Sequence, residues 1–225
     1  MAALHRLRKD ELIWRATHRC AHHHTYLDHP ECYRRDHPDQ ERVGFLDIET
    51  TGLDAGFGIV LCWAIKLAGQ ADILHDVITL RDIQRGKAGD EDERIVRSCI
   101  KALGGLGRVI THYGGNFRFD LPFLRTRAVA LKLPFPTYGM IKQEDTYAIL
   151  RAKFKLPRNR LETACRVLFG ETEKTHLDPV VWRRAGRGDK QALAYVLKHN
   201  LADVRDLERV YNAITSSTRG FGVSI

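Results

Sequence analysis

Val43-Gly44-Phe45-Leu46-Asp47-Ile48-Glu49-Thr50-Thr51-Gly52-Leu53 is the stretch from which the fold can be read. It is a short apolar run broken by two acids and closed by a Thr-Thr-Gly turn, which predicts a β-strand that ends just past its carboxylates. Asp47 and Glu49 stand two apart, so both side chains project from one face, while Phe45, Leu46 and Ile48 are free to pack. An Asp-x-Glu step alone is common in charged chains. Two acids within an apolar strand are a different matter, because their burial is costly unless they are paired or hold a cation.

Outward from this strand, the apolar runs at 59–67 and 73–80 predict two neighbouring strands separated by Gly and Asp turns. Residues 90–106 read as a helix with Ile95, Val96, Cys99, Ile100 and Leu103 on one stripe and acids in its first turn. A fourth strand follows at 108–112, then a turn at Gly114 and Gly115. A helix over 120–132 tolerates Pro122 because it falls in the first turn. Residues 134–136 form a loop, and helices are expected at 146–155, 160–169, 179–185 and 190–214, the last with Leu193, Leu197, Leu201, Val204, Leu207 and Tyr211 on its apolar stripe. Strands first and helices later give a mixed α/β fold with a helix-covered sheet. The organisation read from this is an appendage at 1–41, a main domain at 42–215 and a tail at 216–225.

With 225 residues, 44% of them hydrophobic, the chain can build one core. Its net charge of +8 favours a polyanionic partner such as nucleic acid. No apolar run nears the roughly 20 residues of a membrane span, and the N-terminus lacks a secretory stretch, so the expectation is a soluble, cytoplasmic protein without a membrane partner. Five cysteines, an odd number, speak against a disulfide framework. Cys62, Cys99 and Cys165 sit among apolar neighbours and read as core thiols.

Cys20 and Cys32 are different, because His22, His23, His24 and His29 lie between them. Zinc takes four such ligands in a structural site and can order a segment that lacks an apolar core. The candidates are Cys20, His22, His24, His29 and Cys32, in a spacing unlike that of a familiar zinc finger. The competing reading is a basic arm with solvated histidines. Four filled positions leave no site for catalysis, so a zinc here would be structural.

Two further groups carry chemistry. Asn116-Phe117-Arg118-Phe119-Asp120 places an acid where a Gly turn meets a helix, a position that Asp also takes as a simple cap. His199-Asn200-Leu201-Ala202-Asp203 places a histidine one turn before an acid on the last helix, a pair that also occurs as an ordinary surface hydrogen bond.

Taken together, the Asp-x-Glu strand (Asp47, Glu49), the Asn-x-x-Phe-Asp step (Asn116, Phe119, Asp120) and the base-before-Asp helix (His199, Asp203) resemble the DEDD, or DnaQ-like, exonuclease superfamily in type and order. The resemblance runs from Val43 to Tyr211. It implies a ribonuclease H-like fold and a 3′-to-5′ exonuclease that uses two Mg²⁺ or Mn²⁺ on a single-stranded end of DNA or RNA. It further implies that Asp47 bridges the ions, with Glu49 and Asp203 near the water-activating ion and Asp120 near the leaving group. His199 is the implied base. One departure stands out: the family's branches place Tyr four residues, or His five, before the last Asp, whereas His199 stands four before Asp203, and Tyr195 is a second candidate. Thr50, Thr51, Gly52 and Leu53 match positions that meet the terminal nucleotide. Asn116 and Lys174 are further substrate candidates. Asp145 is either a fifth acid or a helix cap. Alternatives from other classes are a non-catalytic zinc-containing nucleic-acid-binding module and a structure-specific endonuclease or ribonuclease on the same fold. Replication or repair proteins are conceivable partners without a sequence signal to name them.

Overall fold

The computed structural model describes residues 9–37, 42–87, 89–113, 119–137, 140–173 and 178–217. Five strands form one sheet: β1 (Val43–Thr50), β2 (Val60–Leu67), β3 (Ile73–Val77), β4 (Arg108–Thr111) and β5 (Lys142–Asp145), in the order β3-β2-β1-β4-β5. β1, β2 and β3 pair antiparallel, and β4 and β5 add in parallel. Parallel neighbours need a crossover. Helices α3 (Leu80–Arg85) and α4 (Glu93–Leu103) lie between β3 and β4, and α5 (Asp120–Ala130) between β4 and β5. The later helices are α6 (Thr146–Lys153), α7 (Leu161–Phe169), α8 (Pro179–Ala185) and α9 (Lys190–Ser216).

Strand alternation divides β1 between two cores. Leu46 and Ile48 pack in a cluster with Ile95, Val96 and Cys99 of α4 and Leu124 of α5. Phe45, on the face it shares with Asp47 and Glu49, packs with Leu150, Leu161, Leu207, Val210 and Ile214 from α6, α7 and α9. The long final helix therefore lies on the face from which both acids project.

Several expected elements change in detail. The third strand stops at Val77 because Thr79 caps α3, its side chain accepting from the Asp82 N–H while the Asp82 carboxylate accepts from the Thr79 N–H. The helix expected from 90 begins at Glu93. Asp92 gives no cap hydrogen bond there; it forms a buried ion pair with Arg127 of α5 and accepts from the Val60 N–H at 2.9 Å. Arg127 also donates to the Gly89 carbonyl at 2.7 Å and the Ala55 carbonyl at 3.4 Å. On α9, Leu197 and Leu201 are half-buried, and the inward face instead carries His199, Asn200 and Asp203. That substitution of polar for apolar residues on a buried face marks the site.

The N-terminal segment holds α1 (Lys9–Thr17) and α2 (Pro30–Asp36), neither of which the sequence pattern suggested, with an isolated bridge between Arg19 and Thr25. Its buried cluster of Cys20, Tyr26, Cys32 and Tyr33, with Trp14 against it, is separate from the two sheet cores. No helix among the described residues is long and apolar enough to cross a membrane.

Candidate active site

The β1–β4 ladder ends at Phe45 opposite Ile110, and beyond it the Ile48 N–H donates to Asp120 Oδ1 at 3.2 Å. Asp120 is the first residue of α5, not its cap: Phe119 holds that position without a side-chain hydrogen bond. The Asp120 carboxyl is almost fully buried, and desolvation pushes it up to about 7 against the backbone N–H groups that lower it. The Asp145 carboxylate raises it further. Asp145 itself is a helix cap, accepting from the Tyr147 N–H at 2.9 Å and the Tyr113 N–H at 3.2 Å.

From α9, His199 is 1% exposed, so the reading as a surface pair does not hold. Its Nε2 lies 4.0 Å from Glu49 Oε1 and 3.7 Å from Asp203 Oδ2. The Trp182 ring meets the imidazole edge-on, with centroids 5.6 Å apart and planes at 89°. Donor atoms of Glu49, His199 and Asp203 all lie within 4.8 Å of one another. Asp47 and Asp120 border this trio without belonging to it. Asp47 Oδ2 accepts from Asn200 Nδ2 at 2.6 Å, and Asp120 reaches the amide between Asp47 and Glu49. Cys62 pairs with Glu49 in register, and burial first, then the Glu49 and Asp47 carboxylates, raise its thiol far above the usual range. The face beside the acids is thus lined by a neutral thiol.

Around the site, Thr50 is buried and donates to the Gly52 carbonyl at 2.6 Å. Thr51 exchanges hydrogen bonds with Ile59, which closes the loop on which Gly52, Leu53 and Phe57 lie. Leu53 and Phe57 are 76% and 93% exposed. Tyr195 sits one turn before His199, half-buried. Asn116 and Lys174 lie outside the described residues.

Sequence reasoning missed Asn200 and Trp182, while Cys62, read as a core thiol, is fully buried. Asn200 had one signal, its place beside His199 on the last helix, where both are buried. Trp182 had none, because its partner lies on another helix.

In the N-terminal segment, Cys20, His22 and Cys32 offer donor atoms within 4.8 Å of one another. His22 Nδ1 is 3.9 Å from Cys20 Sγ and 3.5 Å from Cys32 Sγ, and His29 Nδ1 is 3.8 Å from Cys32 Sγ. His24 stacks its ring on His29 with centroids 4.1 Å apart. A Cys/His/Cys group of this kind can hold zinc.

The two groups differ in chemistry. Carboxylate oxygens suit hard cations such as Mg²⁺ or Mn²⁺. Asp120 fits such a group in particular: a buried acid whose charged neighbour is another acid is stabilised in its ionised form by a nearby cation.

A sequence profile of the RNase_H superfamily matches residues 44–215, the sheet and all the helices that cover it. No curated protein matches the chain. Domains of this superfamily are usually nucleic-acid-hydrolysing enzymes that use divalent metals, which agrees with the oxygen-rich end of the sheet. On that match, which spans most of its length, the chain belongs to the RNase_H superfamily.

Proposed function

We propose that the protein is a two-metal-ion exonuclease that removes nucleotides from the 3′ end of single-stranded DNA or RNA. The observation that carries this reading is the meeting of Glu49, His199 and Asp203 within 4.8 Å, from a strand and a helix far apart in sequence, with Asp47 and Asp120 beside them. Asp47, Glu49, Asp120 and Asp203 would hold two Mg²⁺ or Mn²⁺. Bound there, the ions supply charge stabilisation for the phosphodiester and lower the pKa of the attacking water. His199 takes the proton of that water at Nε2, which requires a neutral ring carrying its hydrogen on Nδ1. Glu49 Oε1 and Asp203 Oδ2 lie 4.0 and 3.7 Å from Nε2. Trp182 limits rotation of the ring, and Asn200 fixes one oxygen of Asp47.

The loop of Thr50, Thr51, Gly52 and Leu53 is where the terminal nucleotide would sit, with Leu53 and Phe57 as apolar surfaces against a base. The net charge of +8 supports a polyanionic substrate. Digestion of 5′-labelled and 3′-labelled single-stranded and duplex DNA and RNA with Mg²⁺ or Mn²⁺ tests the proposal. A ladder shortening from the 3′ end is expected. Internal cuts would replace it with an endonuclease, and undegraded substrate bound by the protein would replace it with a binding module.

A further inference from the structure

Residues 9–37 form a unit that apolar burial alone does not explain. Its interior consists of two tyrosines and two cysteines with Trp14 against them, a cluster too small to stand as a core without a staple. Both cysteines are buried and reduced, and histidine nitrogens point at their sulfurs. We propose that Cys20, His22, His29 and Cys32 hold one structural Zn²⁺ that orders this unit.

The distances favour a metal over a chance gathering. Zinc bonds of about 2.3 Å to sulfur and about 2.0 Å to nitrogen give a tetrahedron whose sulfur–nitrogen edges are about 3.5 Å. The observed sulfur–nitrogen separations are 3.5, 3.8 and 3.9 Å, three edges of such a figure with a small opening. His29 lies outside the common 4.8 Å circle of Cys20, His22 and Cys32, and it shares an edge with Cys32 alone. Among the described residues it is nonetheless the further imidazole whose nitrogen faces a sulfur, that of Cys32 at 3.8 Å. His24 does a different job: its carbonyl accepts the Cys20 N–H at 2.9 Å, and its ring backs that of His29.

The backbone is shaped to the same end. His23 takes a left-handed conformation, φ 63°, and its N–H donates to the Cys20 carbonyl at 2.9 Å, which returns the chain sharply after Cys20. That turn brings His22 back toward the sulfurs. Pro30 then starts α2 immediately after His29, so that Cys32, in the first turn, is one helical step from its neighbour ligand.

The test is metal content of the untagged full-length chain, measured after dialysis against a weak chelator. One zinc per chain is expected, falling below about a tenth in Cys32→Ser and markedly in His29→Ala, and unchanged in His24→Ala. Asp47→Ala/Asp203→Asn, which alters the carboxylate site, should keep its zinc. Cobalt substitution gives a second readout that survives poor folding of a variant: the wild type should show tetrahedral d–d bands with thiolate-to-cobalt charge transfer. A chain without zinc, a Cys20–Cys32 disulfide in the purified protein, or full zinc retention in Cys32→Ser would each overturn the proposal. Retention in His29→Ala with loss in His24→Ala would overturn the choice of fourth ligand. None of these measurements involves nuclease activity, so the two proposals fail separately.

Discussion

The segment over residues 9–37 and the acidic end of the sheet both gather metal-ligating side chains, yet they are built in opposite ways. In the first, the would-be ligands Cys20 and Cys32 are themselves half of the buried cluster. In the second, two large apolar clusters stand behind the acids and would persist without them. On the proposed reading zinc orders the first segment, whereas the acids, Asp120 above all, are a strain that two apolar clusters hold in place. The comparison predicts that a substitution in the acids changes chemistry and spares the fold, whereas one in the cysteines does the reverse.

The largest expected effect would break the comparison most directly. Asp203→Asn keeps the shape of the side chain but removes a charge beside His199, and should lower the rate of nucleotide release by about 10³-fold with little change in melting temperature. A rate within tenfold of the wild type, or a large loss of stability, would show that Asp203 is structural.

A second prediction concerns the strain itself. Burial pushes the Asp120 carboxyl up to about 7 in the folded, metal-free chain, above the roughly 3.9 of an unfolded aspartate. Between these values the native state holds more protons than the unfolded one, so this group makes stability fall as pH rises, and the full penalty is present above about pH 7. Asp120→Asn, which retains an oxygen for the Ile48 N–H, should therefore stabilise the chelator-treated protein at pH 8 by a few kcal/mol, at about 1.4 kcal/mol per pKa unit. The advantage should vanish near pH 4. Equal denaturation midpoints at both pH values would mean that the burial is not costly.

The smallest effect sharpens the comparison. Asn200→Ala leaves Asp47 Oδ2 without its amide donor and should weaken Mg²⁺ affinity about 10- to 100-fold, seen as a higher metal concentration for half-maximal rate with the saturated rate less affected. Loss of the saturated rate alone would give Asn200 some other role.

The strand that carries Asp47 and Glu49 was legible because its alternation, its acids and its closing turn all agree. The same holds for Asp203 and His199 on a long helix with a clear period. β5 escaped notice because Lys142-Gln143-Glu144-Asp145 is short and wholly polar; only its pairing with β4 makes it a strand. α3 was readable in principle, since Thr79 and Asp82 form a capping box, but its first apolar residue, Leu80, extends the run of the preceding strand. The helices of the N-terminal segment lack an apolar period because aromatic rings and sulfurs, drawn together from distant positions, supply what little interior there is. Asn200 illustrates the general limit. Beyond its place beside His199, its hydrogen bond across 153 positions leaves no local trace.

The pairing of Arg127 with Asp92 reaches further than its own stability. Arg127 sits two turns along the helix that begins with Asp120, and its fork grips both the carbonyl of Ala55, in the loop that carries Leu53 and Phe57, and the approach to α4. Helix, loop and acid are thereby pinned like leaves on one spindle. The loop bearing the protruding apolar tips and the helix that begins with Asp120 thus share one guanidinium as a common anchor.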